Sequence, residues 1–291
     1  MKLNTMTTQS TSAAITEAGT SRSVAVDGCL IHYHEAGTGE PLVLLHGGGP
    51  GATGWSNYSR NIATLAERFR VIVPDLPGFG KSDMKPRDQN TWEWYGPLLG
   101  RFLDELGISS AHFVGNSLGG ATTLVLALHR PEKIKRMVLM GSAGGLPMFA
   151  VAPTDAIKTL FFFYDGEGPS KARLKGFVNQ FVFDPSQITD ELLDQRMAAA
   201  MRPEIVDNPP MRPIPGKPRQ EIWRDARLAS LPHDVMFIWG REDRVMPIDG
   251  VFVLLKQIPK ARLYVLPRCG HWAQWEHADE FNRVCAGFLA S

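Results

Sequence analysis

Short apolar runs alternate with amphipathic or small-residue stretches from Val24 to Leu289. Val24–Val26 and Leu30–His34 flank Asp27-Gly28, residues that tolerate positive φ, and so predict two strands joined by a tight hairpin. Leu42–Leu45, Val71–Val73, the run from Ala111, Met137–Met140, Val235–Trp239 and Arg262–Leu266 read as further strands. Between them, Trp92–Leu106 has the spacing of an amphipathic helix. Ala121–His129 is rich in Ala and Leu and stops just before Pro131, and Asp279–Leu289 forms a closing helix. Strands and helices in this rhythm predict an α/β fold, with a mostly parallel sheet of eight strands flanked by helices. Ligands of such a sheet gather at the carboxyl ends of its strands.

The rhythm breaks over residues 146–224. Phe161-Phe162-Phe163-Tyr164 is an aromatic cluster. Val182–Ala200 reads as helical, with Thr189 as N-cap ahead of Asp190 and Glu191. Pro209 to Pro215 holds too many prolines for a helix or a central strand. The segment is expected to be a helical lid inserted into a core made of residues 22–145 and 225–291. Most lid aromatics would pack lid on core, while some would wall a pocket. Residues 1–21, rich in Thr, Ser and Ala, read as a disordered tail without the shape of a signal peptide.

Net charge is +1 over 291 residues with no long run of one sign, which argues against a nucleic-acid groove or an anionic membrane partner. No apolar stretch is long enough to span a bilayer. The three cysteines, Cys29, Cys269 and Cys285, show neither a disulfide framework nor metal spacing, so a reduced cytoplasmic setting is expected. Apolar surface around the lid would favour a homo-oligomer. No His/Cys/Asp/Glu cluster has metal spacing and no dinucleotide fingerprint follows a strand, so the chemistry is expected to run without metal or cofactor.

The candidate chemistry centres on Gly115-Asn116-Ser117-Leu118-Gly119, placed between a buried strand and a helix. This is a nucleophile elbow: glycines on either side of the serine permit a sharp turn, and the helix start places free amides behind it. A serine hydroxyl needs a histidine to take its proton and an acid to hold that histidine. The order serine, acid, histidine is supplied by Ser117, Asp243 and His271, each shortly after a strand. Glu242 and Asp249 are alternative acids, although Asp249 is better explained as a cap on the next helix. Among eight histidines, His277 sits in a later helical stretch, His32 and His34 in the hairpin, and His46 at the start of a glycine loop where a structural hydrogen bond is expected. That loop, His46-Gly47-Gly48-Gly49-Pro50-Gly51, lacks the Gly-Lys-Ser/Thr of a phosphate site and suits an oxyanion cradle. Its donor would be Gly47 or Gly48, opposite the amide of Leu118. Asp75 and Ser82 read as turn residues that bond local backbone, and Cys269 as a core or loop residue.

With these pieces placed, the sequence resembles the α/β-hydrolase superfamily and, within it, the meta-cleavage product hydrolases, which cleave C–C bonds in aromatic and steroid ring degradation. The resemblance runs from about Val24 to Leu289. It is carried by the glycine loop, Trp55-Ser56-Asn57-Tyr58-Ser59-Arg60-Asn61, the elbow, and Cys269-Gly270-His271-Trp272-Ala273-Gln274-Trp275-Glu276. It implies that Arg196 binds the carboxylate and 2-hydroxy (or oxo) end of a dienoate, that Asn116 and Asn57 orient that end, and that Trp272 stacks on the substrate. A solvated helix position for Arg196 and a core position for Trp272 are the plainer alternatives. Met197 and Val245 stand where relatives carry bulkier aromatics, and the lid end is rich in Pro, which leaves the distal substituent open. The implied reaction on 2-hydroxy-6-oxo-hexa-2,4-dienoate is ketonisation followed by hydrolysis, giving 2-hydroxypenta-2,4-dienoate and a carboxylic acid. An ordinary carboxylesterase or lactonase would share the triad without needing Arg196. A non-catalytic receptor on the same scaffold would not need the intact triad.

Overall fold

Asp27 and Gly28 adopt φ of 50° and 67°, the paired left-handed geometry of a two-residue hairpin turn. They join β1 (Ser21–Val26) to β2 (Cys29–Ala36) in the computed structural model, which describes residues 15–217 and 220–291. The other strands are β3 (Glu40–Leu45), β4 (Phe69–Pro74), β5 (Ala111–Asn116), β6 (Ile134–Met140), β7 (Asp234–Gly240) and β8 (Ala261–Leu266). The longer helices are α1 (Thr91–Glu105), α2 (Leu118–His129), α3 (Asp155–Phe162), α4 (Lys171–Val178), α5 (Asp190–Ala200) and α6 (Ala278–Leu289). The strands form one eight-stranded sheet in the order β1-β2-β4-β3-β5-β6-β7-β8. β2 runs antiparallel to both neighbours, and every pairing from β4 to β8 is parallel.

Both faces of the parallel region are covered, which is why its strands read as continuous apolar runs. Along β3, Val43 and Leu45 enter the core under α1 and α2, while Leu42 and Leu44 enter the core under α6. Each fully buried Leu or Phe of these layers contributes about 2 kcal/mol of apolar transfer. Because β3 to β8 point the same way, the loops that follow β3, β5, β6, β7 and β8 open onto one rim of the sheet. Those loops begin at His46, Ser117, Gly141, Arg241 and Pro267.

Residues 146–224 run between β6 and β7 and carry α3, α4 and α5. Only the second part of the helix expected over Val182–Ala200 forms. Thr189 Oγ1 accepts the Leu192 N–H at 3.2 Å and starts α5. Before it, Pro185 opens a short 3-10 turn, and Val182 and Phe183 use their polar groups outward. The Val182 carbonyl accepts from Arg244 at 2.8 Å, and the Phe183 N–H donates to Glu276 at 2.6 Å, so tertiary partners outcompete the helix there. Arg202 clamps the other side of the lid by donating to the carbonyls of Gly80 and Ser82.

The expected tail needs a correction at its end. Residues 1–14 lie outside the described residues, but Glu17–Thr20 is a short helix and Ser21 already belongs to β1. Thr16 caps that helix, Thr20 Oγ1 lies 2.9 Å from His34 Nδ1, and Ser21 Oγ lies 2.8 Å from His32 Nε2. Polar residues that look like tail in sequence are thus ordered by histidines of β2. No helix among the described residues is long and apolar enough to cross a membrane.

Candidate active site

Ser117 sits between β5 and α2 with φ 51° and ψ −107°, a backbone conformation that L residues seldom adopt. Such strain costs on the order of 1–3 kcal/mol and must be held by the surroundings. Its N–H donates to the Met140 carbonyl at 2.9 Å, and its carbonyl accepts from Ala143 at 3.1 Å. The turn is also closed to side chains. A Cβ on Gly115 would lie 2.6 Å from the Gly119 backbone, and one on Gly119 would lie 2.4 Å from the Leu45 carbonyl.

Asp243 and His271 follow β7 and β8 and meet on the same rim. Asp243 Oδ2 lies 2.8 Å from His271 Nδ1, with both side chains almost fully buried. Asp243 Oδ1 accepts the N–H groups of Val245 and Met246 at 2.8 and 2.9 Å, so the carboxylate is fixed from two sides. Nδ1–H faces the carboxylate, which leaves Nε2 as the acceptor an activated hydroxyl needs. The histidine is fixed in turn by the lid: its N–H donates to the Phe181 carbonyl at 2.5 Å, and the Phe181 ring stacks on the imidazole at 5.2 Å.

The two alternative acids are engaged elsewhere. Glu242 accepts the Cys269 N–H at 3.1 Å. Asp249 does not cap the next helix as expected; its Oδ2 accepts three N–H groups, from Met148, Phe149 and Ala150, and pins the chain leaving β6. His277 donates its Nε2–H to the Arg268 carbonyl at 3.1 Å on the exposed surface. Cys269 is buried and its thiol is pushed up by that burial, so it offers no thiolate. His46 is structural: Nδ1 faces the Gly47 carbonyl at 2.8 Å and Nε2 accepts the Leu76 N–H at 2.9 Å.

Ser117 and His271 line a small cavity together with Asn57, Asn116, Arg196 and Trp272. Arg196 reaches it from α5 and is 1 % exposed. Nη2 donates to the Pro50 carbonyl at 2.8 Å, while Nε and Nη1 have no partner. The guanidinium lies over Trp272, 5.3 Å from the ring centroid, and burial pushes its pKa down to about 10, which still leaves it charged near neutrality. No carboxylate among the described residues pairs with it. Asn116 Nδ2 donates to the Met140 and His271 carbonyls at 3.3 Å, and Asn57 Nδ2 donates to the Thr53 carbonyl at 3.0 Å. Both Oδ1 atoms are buried without partners. A buried cation and two buried acceptors left unpaired around one cavity suit a ligand that carries a carboxylate and a hydroxyl.

The family model described as alpha/beta hydrolase fold matches residues 40–278. A 2-hydroxy-6-oxo-6-phenylhexa-2,4-dienoate hydrolase of Burkholderia cepacia is 46% identical over 90% of this chain and 91% of its own. A 2-hydroxy-6-oxononadienedioate/2-hydroxy-6-oxononatrienedioate hydrolase of Cupriavidus pinatubonensis is 42% identical over 96% and 98%. A solved meta-cleavage product hydrolase from Pseudomonas fluorescens IP01 superposes with a TM-score of 0.80 at 34% identity, covering 92% of this chain and 97% of that one. The chain belongs to the meta-cleavage product hydrolases.

The hydrolase has a second chamber, of about 190 Å³, that meets the first at Ser117, Leu160 and Val245. Leu118, the first residue of α2, lines it, and the amides of a first helical turn lack intrahelical acceptors. On the glycine loop, Gly47 lies beside the serine, where a Cβ would fall 3.5 Å from Ser117 Cβ. A Cβ on Gly47 would lie 2.7 Å from Asn116 Oδ1, and one on Gly48 2.7 Å from Met211 Sδ. Two features of the hydrolase escape sequence reasoning. Gly141, at the end of β6, has φ 48°, and a Cβ there would lie 2.6 Å from His271 Nδ1 and 3.2 Å from Asp243 Oδ2. Phe181 holds the histidine through both backbone and ring. A glycine directly after a strand on the ligand-bearing rim is a readable signal for Gly141; nothing in the local sequence marks Phe181. No group of three or more metal-ligating side chains is found among the described residues.

Proposed function

We propose that this hydrolase cleaves the C5–C6 bond of a 2-hydroxy-6-oxo-hexa-2,4-dienoate, with Ser117, His271 and Asp243 as its triad. The observation that carries this reading is Arg196: a buried guanidinium with two unpaired nitrogens, facing the cavity that holds Ser117 and His271. An esterase of neutral substrates has no use for it, whereas a dienoate supplies the missing carboxylate. Asn57 and Asn116 present free oxygens able to accept the 2-hydroxyl proton of the same end. Trp272 flanks the planar chain.

In the first stage the 2-hydroxyl gives up its proton and C5 gains one, which yields the 2,6-dioxo form; Arg196 stabilises the charge at the carboxylate end and His271 carries the proton. In the second stage His271 removes a proton from the nucleophile, either Ser117 itself or a water at its hydroxyl, and Asp243 holds the imidazolium. The C6 oxyanion rests on the amides of Leu118 and of Gly47 or Gly48. Losing one such donor typically costs about 3 kcal/mol. The C5–C6 bond then breaks with its electrons delocalised toward the C2 oxygen, which takes the proton from the His271 imidazolium, and 2-hydroxypenta-2,4-dienoate leaves. By the water route C6 is released directly as the carboxylic acid; by the serine route it stays as an acyl ester on Ser117, which a water deprotonated by His271 then hydrolyses to the acid. The relatives differ beyond C6: the name of one carries a phenyl group and that of the other a second carboxylate.

Three buried free cysteines support a reducing, cytoplasmic setting. Exposed Met148, Phe149 and Val151 at the start of the lid support self-association.

Following loss of dienolate absorbance tests the function, with products identified by mass. Turnover should be rapid for the wild type and fall at least ~1000-fold in Ser117→Ala, with ligand affinity largely kept. Activity on p-nitrophenyl esters alone would refute the reading.

A further inference from the structure

Every N–H in the turn from Cys269 to Trp272 has an acceptor. Cys269 N–H donates to Glu242 Oε2 at 3.1 Å, and Gly270 N–H donates to Glu276 Oε1 at 2.7 Å. The N–H groups of His271 and Trp272 both reach the Phe181 carbonyl, at 2.5 and 3.3 Å. Glu242 and Glu276 follow β7 and β8, whereas Phe181 belongs to the lid. The turn is thus gripped from two sides, and glycines make that possible. A Cβ on Gly270 would lie 2.5 Å from the Phe181 carbonyl oxygen, and one on Gly240 would lie 1.9 Å from the Gly270 carbonyl oxygen.

Glu276 joins the two sides. It ends a short helix, Ala273–Glu276, that starts directly after Trp272. Its Oε1 holds Gly270, the residue before the histidine, and its Oε2 accepts the Phe183 N–H of the lid at 2.6 Å. One carboxylate therefore ties the lid strap 181–183 to the turn 269–272. The strap in turn fixes the imidazole: the Phe181 ring stacks on His271 at 5.2 Å and 19°, and on Trp272 at 5.0 Å and 14°. Asp243 holds only Nδ1, so a shift of the strap removes the contacts along the rest of the residue. The strap's other tie is Arg244, whose Nη2 donates to the Val182 carbonyl at 2.8 Å. Burial raises the Glu276 carboxyl pKa above its ordinary 4.5, against the pull of its two N–H partners. An apolar side chain of similar size would avoid that cost but could hold neither N–H.

We infer that Glu276 is a positioning residue for catalysis, which sets His271 in place by seating the lid strap 181–183 on the histidine turn. This role rests on the proposed reaction only in taking His271 as the proton carrier. It goes further by making the seat of the lid a determinant of turnover. Arg196, Asn57 and Asn116, which hold the carboxylate end of the substrate in that reaction, make no hydrogen bond to Glu276.

Glu276→Gln keeps the size of the side chain but turns one oxygen into an NH2 group, so that a donor faces a donor at Phe183 or Gly270. In the folded variant kcat should fall at least ~10-fold while KM moves less than about threefold, because the displaced group carries the proton and does not bind the substrate. The loss should be equal on the dienoate and on p-nitrophenyl acetate, which use the same imidazole. A kcat within about twofold of the wild type, a rise in KM alone, or a loss confined to one substrate overturns the inference. Arg244→Met cuts the strap's other tie with Glu276 in place, and decides the matter should Glu276→Gln not fold. The same kcat-selective loss supports the seat of the strap, and a wild-type kcat overturns it. A wild type that consumes no dienoate, with ester kcat falling in either variant, would sink the proposed reaction and leave the positioning role standing.

Discussion

Gly141 and His271 are so close that a single methyl group would separate a working site from a blocked one. The Cβ that any other residue would place at Gly141 falls 2.6 Å from the imidazole Nδ1 and 3.2 Å from Asp243 Oδ2. The hydrogen bond that orients the imidazole therefore passes through space that exists only because the residue directly after β6 is a glycine, at φ 48°.

Gly141→Ala should accordingly retain the fold and lose activity. Displacing His271 by a fraction of an ångström to 1 Å is expected to cost about 100-fold in kcat on any substrate the wild type turns over. Steady-state kinetics on a variant shown by circular dichroism to be folded would check this. A wild-type kcat would mean that the imidazole tolerates displacement, and that the close approach has no catalytic consequence.

Arg196 illustrates a conflict between stability and function. A buried guanidinium with two unpaired nitrogens destabilises the empty enzyme, and replacement of buried charge by a packed apolar side chain is often neutral or stabilising. Arg196→Met should therefore keep or raise Tm while lowering kcat/KM on the dienoate by about 100-fold, the value of a lost charge-assisted hydrogen bond. Turnover of p-nitrophenyl acetate should change less than about threefold. A marked fall in Tm together with equal losses on both substrates would make the residue a structural one.

Buried histidines set the acid limit of stability. Burial lowers the pKa of His34, His46, His112 and His233 below the ordinary value of 6.5. Below that value the unfolded chain takes up protons that the folded chain refuses, so stability is full above about 6.5 and is lost as pH falls toward the depressed folded values. His46 adds a functional link, since protonating Nε2 would break its bond from the Leu76 N–H and loosen the start of the glycine loop. Urea midpoints at about pH 7.5 and about pH 5.5 should show a clear drop at the lower value. Midpoints that coincide would mean these rings do not resist protonation.

Much of this protein is legible in local sequence because the relevant physics is local. The Asp27-Gly28 turn, the glycine-flanked Ser117 and the Thr189 cap are decided by backbone sterics and neighbouring hydrogen bonds, and each appears where the residues predict it. Covered strands read as apolar runs because helices lie on both faces. Other features depended on partners far along the chain. Whether Val182–Ile188 became helix was settled by Arg244 and Glu276, and whether residues 15–21 were ordered was settled by His32 and His34. Asp249 chose the chain leaving β6 over the helix beside it.

The sequence alone determined the order of strands and helices, the serine turn, and the order in which hydroxyl, carboxylate and imidazole appear, since short-range geometry and periodic burial leave those few alternatives. Only the tertiary structure decided that a guanidinium from the lid would lie bare in the cavity of Ser117, that Phe181 would hold His271, and that a second, uncharged chamber would meet the site at Ser117. Those facts depend on which distant surfaces pack together, and no local pattern of residues encodes the contacts a folded interior will leave unsatisfied.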